Sequence, residues 1–155
     1  MSLATITGAV TLATISFFSS DFELPLTWEK DFIISASHHG SMSAVSSSIT
    51  FTYETCTYTV DPRNGASAKK TFSMTEKDRV AILKKLRNVH VDNIIPKQLY
   101  VAVNDGWSTS ICLGSHCIEG GTSVELSDKD KDAFLTAYAY LEQFAIDKTN
   151  SSKIH

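Results

Sequence analysis

Met74-Thr75-Glu76-Lys77-Asp78-Arg79-Val80-Ala81-Ile82-Leu83 and Leu126-Ser127-Asp128-Lys129-Asp130-Lys131-Asp132-Ala133-Phe134-Leu135 read as the same helix start written twice. Each opens on a hydroxyl residue, Thr75 or Ser127, whose oxygen can accept from a backbone N–H of the first turn. Each carries an aspartate three residues on, Asp78 or Asp130, in the place of a capping box. The apolar residues that follow set the helical period. In the second copy Phe134, Ala137, Tyr138, Leu141, Phe144 and Ala145 recur at the i, i+3, i+4, i+7 spacing of a core-facing stripe. In the first, Val80, Ile82, Leu83 and Leu86 supply the apolar side. Duplication of a hairpin–helix unit is one explanation of the match. The other is convergence, since cap, acid and stripe suit any helix of this kind.

Working outward, each helix is preceded by strand signals. Asp31–His38 (DFIISASH) reads as a strand, with a turn at His39-Gly40-Ser41. Ser48–Val60 (SITFTYETCTYTV) reads as one long strand dense in β-branched and aromatic residues. Asp61-Pro62-Arg63-Asn64-Gly65 is a turn, and Lys69–Ser73 returns from it. In the second half Gln98–Val103 is a strand, Asn104-Asp105-Gly106 its hairpin turn and Trp107–Leu113 its partner. Gly114-Ser115 and Glu119-Gly120-Gly121 mark two further turns. Strands joined by tight turns pair antiparallel. The expected fold is therefore α+β, a single domain with two helices packed on one face of an antiparallel sheet. Residues 148–155 read as a flexible tail.

The chain has 155 residues, 43% hydrophobic and 20% charged, enough for one hydrophobic core. The formal net charge of -3 argues against nucleic acid, which selects a basic face. The one basic cluster, Lys84, Lys85 and Arg87, falls at a helix end and complements its dipole. Met1–Ser20 is uncharged and admits two readings. Its alternation of Ile6, Gly8, Val10 and Leu12 with Thr5, Thr7, Ala9 and Thr11 is that of a half-buried strand; its apolarity is that of an export signal lacking the usual basic start. Membrane association is expected only if these residues are an anchor.

Three cysteines are present, Cys56, Cys112 and Cys117. Cys112 and Cys117 bracket a loop of hairpin length. In an exported chain a bridge between them, with Cys56 free and buried, is the first choice, and Cys56 with either is the alternative. A cytosolic chain would leave all three as thiols. His38, His39, His116, Cys112 and Cys117 are metal-ligand types, but they lack the two tight ligand pairs of structural zinc. Ser115-His116-Cys117 is adjacency and not a triad. Glu125, Asp128, Asp130 and Asp132 belong to a solvated helix start. Trp28 and Trp107 are aromatics of a core or of a binding face. No cofactor motif is present in the sequence, and none is expected.

The segment Phe32–Leu86 resembles a type found in small exported bacterial proteins of unknown function. A strand runs into a small-residue turn (His38-His39-Gly40-Ser41), then a hairpin, then a short capped helix ending Leu83-Lys84-Lys85-Leu86. Only Gly40 remains of that type's glycine-rich turn. The resemblance implies a periplasmic or extracellular location in preference to a cytoplasmic one, and it assigns no site residues. Two functions fit the sequence. One is a non-catalytic binding domain at or outside the cell envelope, inhibitor-like, with another protein as partner. The other is a small hydrolytic or metal-dependent enzyme using His38, His39 and His116.

Overall fold

The computed structural model describes residues 22–40, 45–62, 64–95, 97–98, 107–122 and 124–151. The readings made for Met1–Ser20 and for the turn at Asn104-Asp105-Gly106 lie outside the described residues. The strands are β1 (Ile34–Gly40), β2 (Val45–Phe51), β3 (Thr55–Pro62), β4 (Ala68–Ser73), β5 (Lys97–Gln98), β6 (Trp107–Leu113), β7 (His116–Gly121) and β8 (Val124–Glu125). The helices are α1 (Glu76–Asn88) and α2 (Asp128–Ser151), with a short 3-10 turn at Val91–Asn93. The strands form one sheet in the order β4-β3-β2-β1-β6-β7-β8-β5. Every neighbouring pair is antiparallel. The fold is α+β, with both helices on one face of the sheet.

The two faces differ because strand residues alternate. Ile34, Ala36, Ile49, Phe51, Cys56, Ile111, Leu113 and Ile118 point to the helix layer and are buried. They share one core with Ile82, Leu83 and Leu86 of α1 and Phe134, Ala137, Leu141 and Ala145 of α2. Each large side chain among them stabilises the fold by about 1.5–3 kcal/mol. The opposite face is set with small hydroxyl residues. Ser37 meets Ser110 across β1 and β6 at 2.8 Å, and Thr57 meets Thr71 across β3 and β4 at 3.2 Å.

The capping box of α1 is complete. The Asp78 N–H donates to Thr75 Oγ1 at 3.2 Å, and the Thr75 N–H donates to Asp78 Oδ2 at 2.9 Å. At α2 the Asp130 N–H donates to Ser127 Oγ at 3.2 Å. From there α2 crosses the sheet obliquely. Phe134 lies over Gly120 of β7, Tyr138 reaches Ser47 of β2, Phe144 meets Phe51, and Lys148 reaches Asp78 of α1.

Four sequence expectations are corrected. Ser48–Val60 is not one strand: it breaks at Thr52-Tyr53-Glu54 into β2 and β3. Thr52 Oγ1 accepts from the Thr55 N–H at 2.9 Å, closing the turn with a side chain. Trp107–Leu113 has β1 on one side and β7 on the other, so no edge is open there for a partner at Gln98–Val103. Of that segment Gln98 alone is described, and with Lys97 it pairs with Val124–Glu125 instead, while residues 99–103 lie outside the described residues. Val80 is 58% exposed and contributes nothing to the core. Residues 148–151 are not a tail: α2 continues to Ser151, Thr149 is buried and Lys148 is ion-paired, and the rest of that expectation lies outside the described residues.

Candidate binding site

The antiparallel register of β1 and β6 sets Gly40 opposite Trp107, His39 opposite Ser108 and His38 opposite Thr109. His38 therefore faces the helix layer and His39 the hydroxyl face. His38 Nδ1 lies 2.9 Å from Thr109 Oγ1, which fixes the imidazole on the strand beside it. Its ring centroid is 6.3 Å from that of Trp107 and 6.5 Å from that of Tyr138. Tyr138 OH in turn lies 3.3 Å from Ser47 Oγ. Burial pushes the Tyr138 hydroxyl above its ordinary pKa. The Ser47 contact works against that rise, and the Glu142 carboxylate adds to it. The phenol stays neutral and able to donate at physiological pH.

Beside this polar row a cleft opens between β6–β8 and the first turns of α2. Its volume is about 360 Å³, and Trp107, Gly120, Leu126, Lys131, Phe134 and Leu135 line it. The backbone makes it possible. A Cβ on Gly120 would stand 2.6 Å from Phe134 Cε1, so only a glycine lets the phenyl ring settle on β7. A Cβ on Gly121 would stand 2.4 Å from the Trp107 carbonyl oxygen. Trp107 is 41% exposed and Leu135 44%, on either side of the buried Phe134. The cleft is thus aromatic at its base and apolar along its walls, with one cation, Lys131, and one carboxylate, Glu125, among its lining residues. Sites for one large apolar group are built this way.

The other candidates are scattered. His116 is opposite Leu113 at the far end of β6, and Leu113 is paired with Ile34. Ile34 precedes His38 by four residues, about 13 Å of strand. His116 stacks on Phe22 with centroids 4.7 Å apart, and its Nε2 is buried without a hydrogen bond among the described residues. His38, His39 and His116 are therefore not brought together. Cys112 and Cys117 are joined in a disulfide between directly opposed residues of β6 and β7, so neither offers a thiolate. Cys56 is buried against Phe51, and burial pushes its thiol up to about 12. Among the described residues no group of three His, Cys, Asp or Glu side chains could hold a metal ion. Asp128, Asp130 and Asp132 stay at the start of α2, while Glu125 lines the cleft.

No family model and no curated protein matches the chain.

Of the cleft residues, the sequence marks Trp107 as an aromatic to explain, Phe134 as core stripe and Glu125 as part of a solvated helix start. It gives Leu126 and Leu135 no role. Leu135 stands outside the Phe134–Leu141 stripe, and an apolar residue off the buried side of an amphipathic helix is the available signal for a second contact surface. Among the described residues no helix is long and apolar enough to cross a membrane.

Proposed function

We propose that this chain is a non-catalytic binding domain at or outside the cell envelope. It engages another protein by taking one of that protein's apolar side chains into the Trp107–Phe134 cleft. An inhibitor is one form such a domain takes. The observation that carries the reading is the half-exposed Trp107 standing beside a preformed aromatic floor. Tryptophan in a partly desolvated pocket is the side chain most often responsible for binding energy at protein interfaces. The Cys112–Cys117 bridge supports the location, because disulfides persist in oxidising compartments and are rare elsewhere.

The test places a photo-crosslinking amino acid at Leu135 in the natively produced protein. The expected result is a discrete protein adduct in the envelope or external fraction that disappears in Trp107→Ala, while a cooperative thermal melt shows that variant to be folded. An adduct pattern unchanged by Trp107→Ala, or labelling confined to the cytoplasm, would defeat the proposal.

A further inference from the structure

A second cavity, about 460 Å³, shares no lining residue with the first and lies between α1 and the segment that leads into β1. Leu26, Trp28, Arg79, Val80, Lys84 and Arg87 line it. Its construction explains why the segment stays in place. Arg87 donates through Nη2 to the carbonyl oxygens of Pro25 and Leu26. The Leu24 N–H donates to Asp92 Oδ2 at 3.2 Å, and Trp28 Nε1 donates to the Phe32 carbonyl at 2.7 Å. The guanidinium carbon of Arg79 lies over the Tyr53 ring, 3.9 Å from its centroid, and Nη1 donates to the Tyr53 carbonyl at 2.7 Å.

These contacts satisfy one nitrogen of each guanidinium and leave the charges unneutralised. Among the described residues none of Arg79, Lys84 and Arg87 has a carboxylate partner. Arg87 Nε is moreover buried without an acceptor. Glu76 is the single acid on the cavity wall. Three cations facing one carboxylate, two of them half-buried, create a positive potential that a bound anion would relieve. Leu26 at 85% exposure and Val80 at 58% add an apolar lip that the core does not use. A charge-bearing wall next to an exposed apolar lip is complementary to an amphipathic anion.

We infer that this cavity binds an oxyanion carried on a short aliphatic chain. The head group, a carboxylate or a phosphate monoester, is held by Arg79, Lys84 and Arg87, and the chain lies along Leu26 and Val80. The site is separate from the Trp107 cleft and does not depend on its role.

Calorimetric titration of the full chain with octanoate, octyl phosphate, octyltrimethylammonium and inorganic phosphate tests it. One or both octyl oxyanions bind saturably, and which one does so names the head group. Inorganic phosphate binds at least about tenfold more weakly, and the ammonium compound does not bind. Lys84→Glu and Val80→Glu, both at exposed positions, each weaken the oxyanion about tenfold or more. Leu135→Glu, in the other cleft, leaves it unchanged. The inference is overturned if neither oxyanion binds, if the ammonium compound or bare phosphate binds as well, if both α1 variants keep full affinity, or if Leu135→Glu is the variant that abolishes binding.

Discussion

Lys148 Nζ lies 2.8 Å from each carboxylate oxygen of Asp78, tying the last turns of α2 to the first turn of α1. Asp78 Oδ2 also accepts from the Thr75 N–H and hydroxyl, so one carboxylate serves both the cap and the helix–helix contact. Burial pushes the carboxyl up, but Lys148 and the Thr75 donors outweigh it and hold Asp78 below its ordinary value of 3.8. A lowered folded-state pKa gives stability that is complete above the unfolded value and is lost as pH falls through the folded one. Lys148→Met is expected to cost about 1 kcal/mol at neutral pH, a modest figure because the lysine is partly solvated. Asp78→Ala is expected to cost more, about 2–3 kcal/mol, since it also removes the cap. Denaturant titrations across pH check both: the Lys148→Met deficit should shrink below pH 4 and be unchanged between pH 6 and 8.

The approach of α2 to β7 rests on the absence of a side chain at Gly120, where a Cβ would fall 2.6 Å from the Phe134 ring. Gly120→Val should therefore destabilise by about 1–3 kcal/mol through overpacking. The pair distinguishes this from a general strand effect. Combined with Phe134→Leu, which frees space over β7, the valine should cost less than it does alone. A double-mutant cycle in the midpoint of chemical denaturation measures the coupling.

What could be read from the chain beforehand divides along the range of the interactions. The caps at Thr75 and Ser127, the α2 stripe and the turn at Gly114-Ser115 are set by residues within a few positions of one another, and local chemistry marks them. The break at Thr52-Tyr53-Glu54 carries no glycine, proline or asparagine; a threonine hydroxyl closing on Thr55 makes it, and the β-rich composition hides it. The β1–β6 pairing joins segments separated by α1, so no turn residue announces it. That pairing places His38 beside Trp107. The cleft itself joins β6, β7 and β8 to α2, and the packing of Phe134 over Gly120 that forms it has no local signal in the sequence. Arg87 shows the same limit. A helix-end cation is explained locally by the dipole, whereas its bonds to Pro25 and Leu26 span most of the first half of the chain.

The three cysteines should behave as two classes. Cys56 is fully buried with its thiol pushed up to about 12, so almost none of it is thiolate at neutral pH. Iodoacetamide at pH 8 should leave the native, unreduced protein unmodified. After mild reduction it should add two groups, at Cys112 and Cys117, and a third only in denaturant. Intact mass with peptide mapping reads the outcome; labelling of Cys56 in the native state would show that the strand carrying it opens readily. Because the bridge closes a hairpin already zipped by its ladder, reduction should lower the melting temperature only slightly.

At the alkaline end the side chains in question are Tyr58, Tyr138 and Tyr140. Burial pushes all three above the ordinary value of 10. The Glu142 carboxylate adds to the rise at Tyr58 and Tyr138, and Asp78 adds to it at Tyr140. A raised folded-state pKa gives stability that is complete below the unfolded value and is lost as pH climbs through the folded one. The fold should accordingly lose stability above pH 10. Glu142→Gln removes the negative charge beside two of the three phenols, so their folded pKa values should fall toward 10 while that of Tyr140 stays put. The variant should then lose less stability than the parent over the same alkaline interval. Residue-resolved NMR titration of the five tyrosine rings should show Tyr58 and Tyr138 titrating earlier and Tyr140 unmoved. If all three shift together, Glu142 acts by loosening the helix layer and not by its charge.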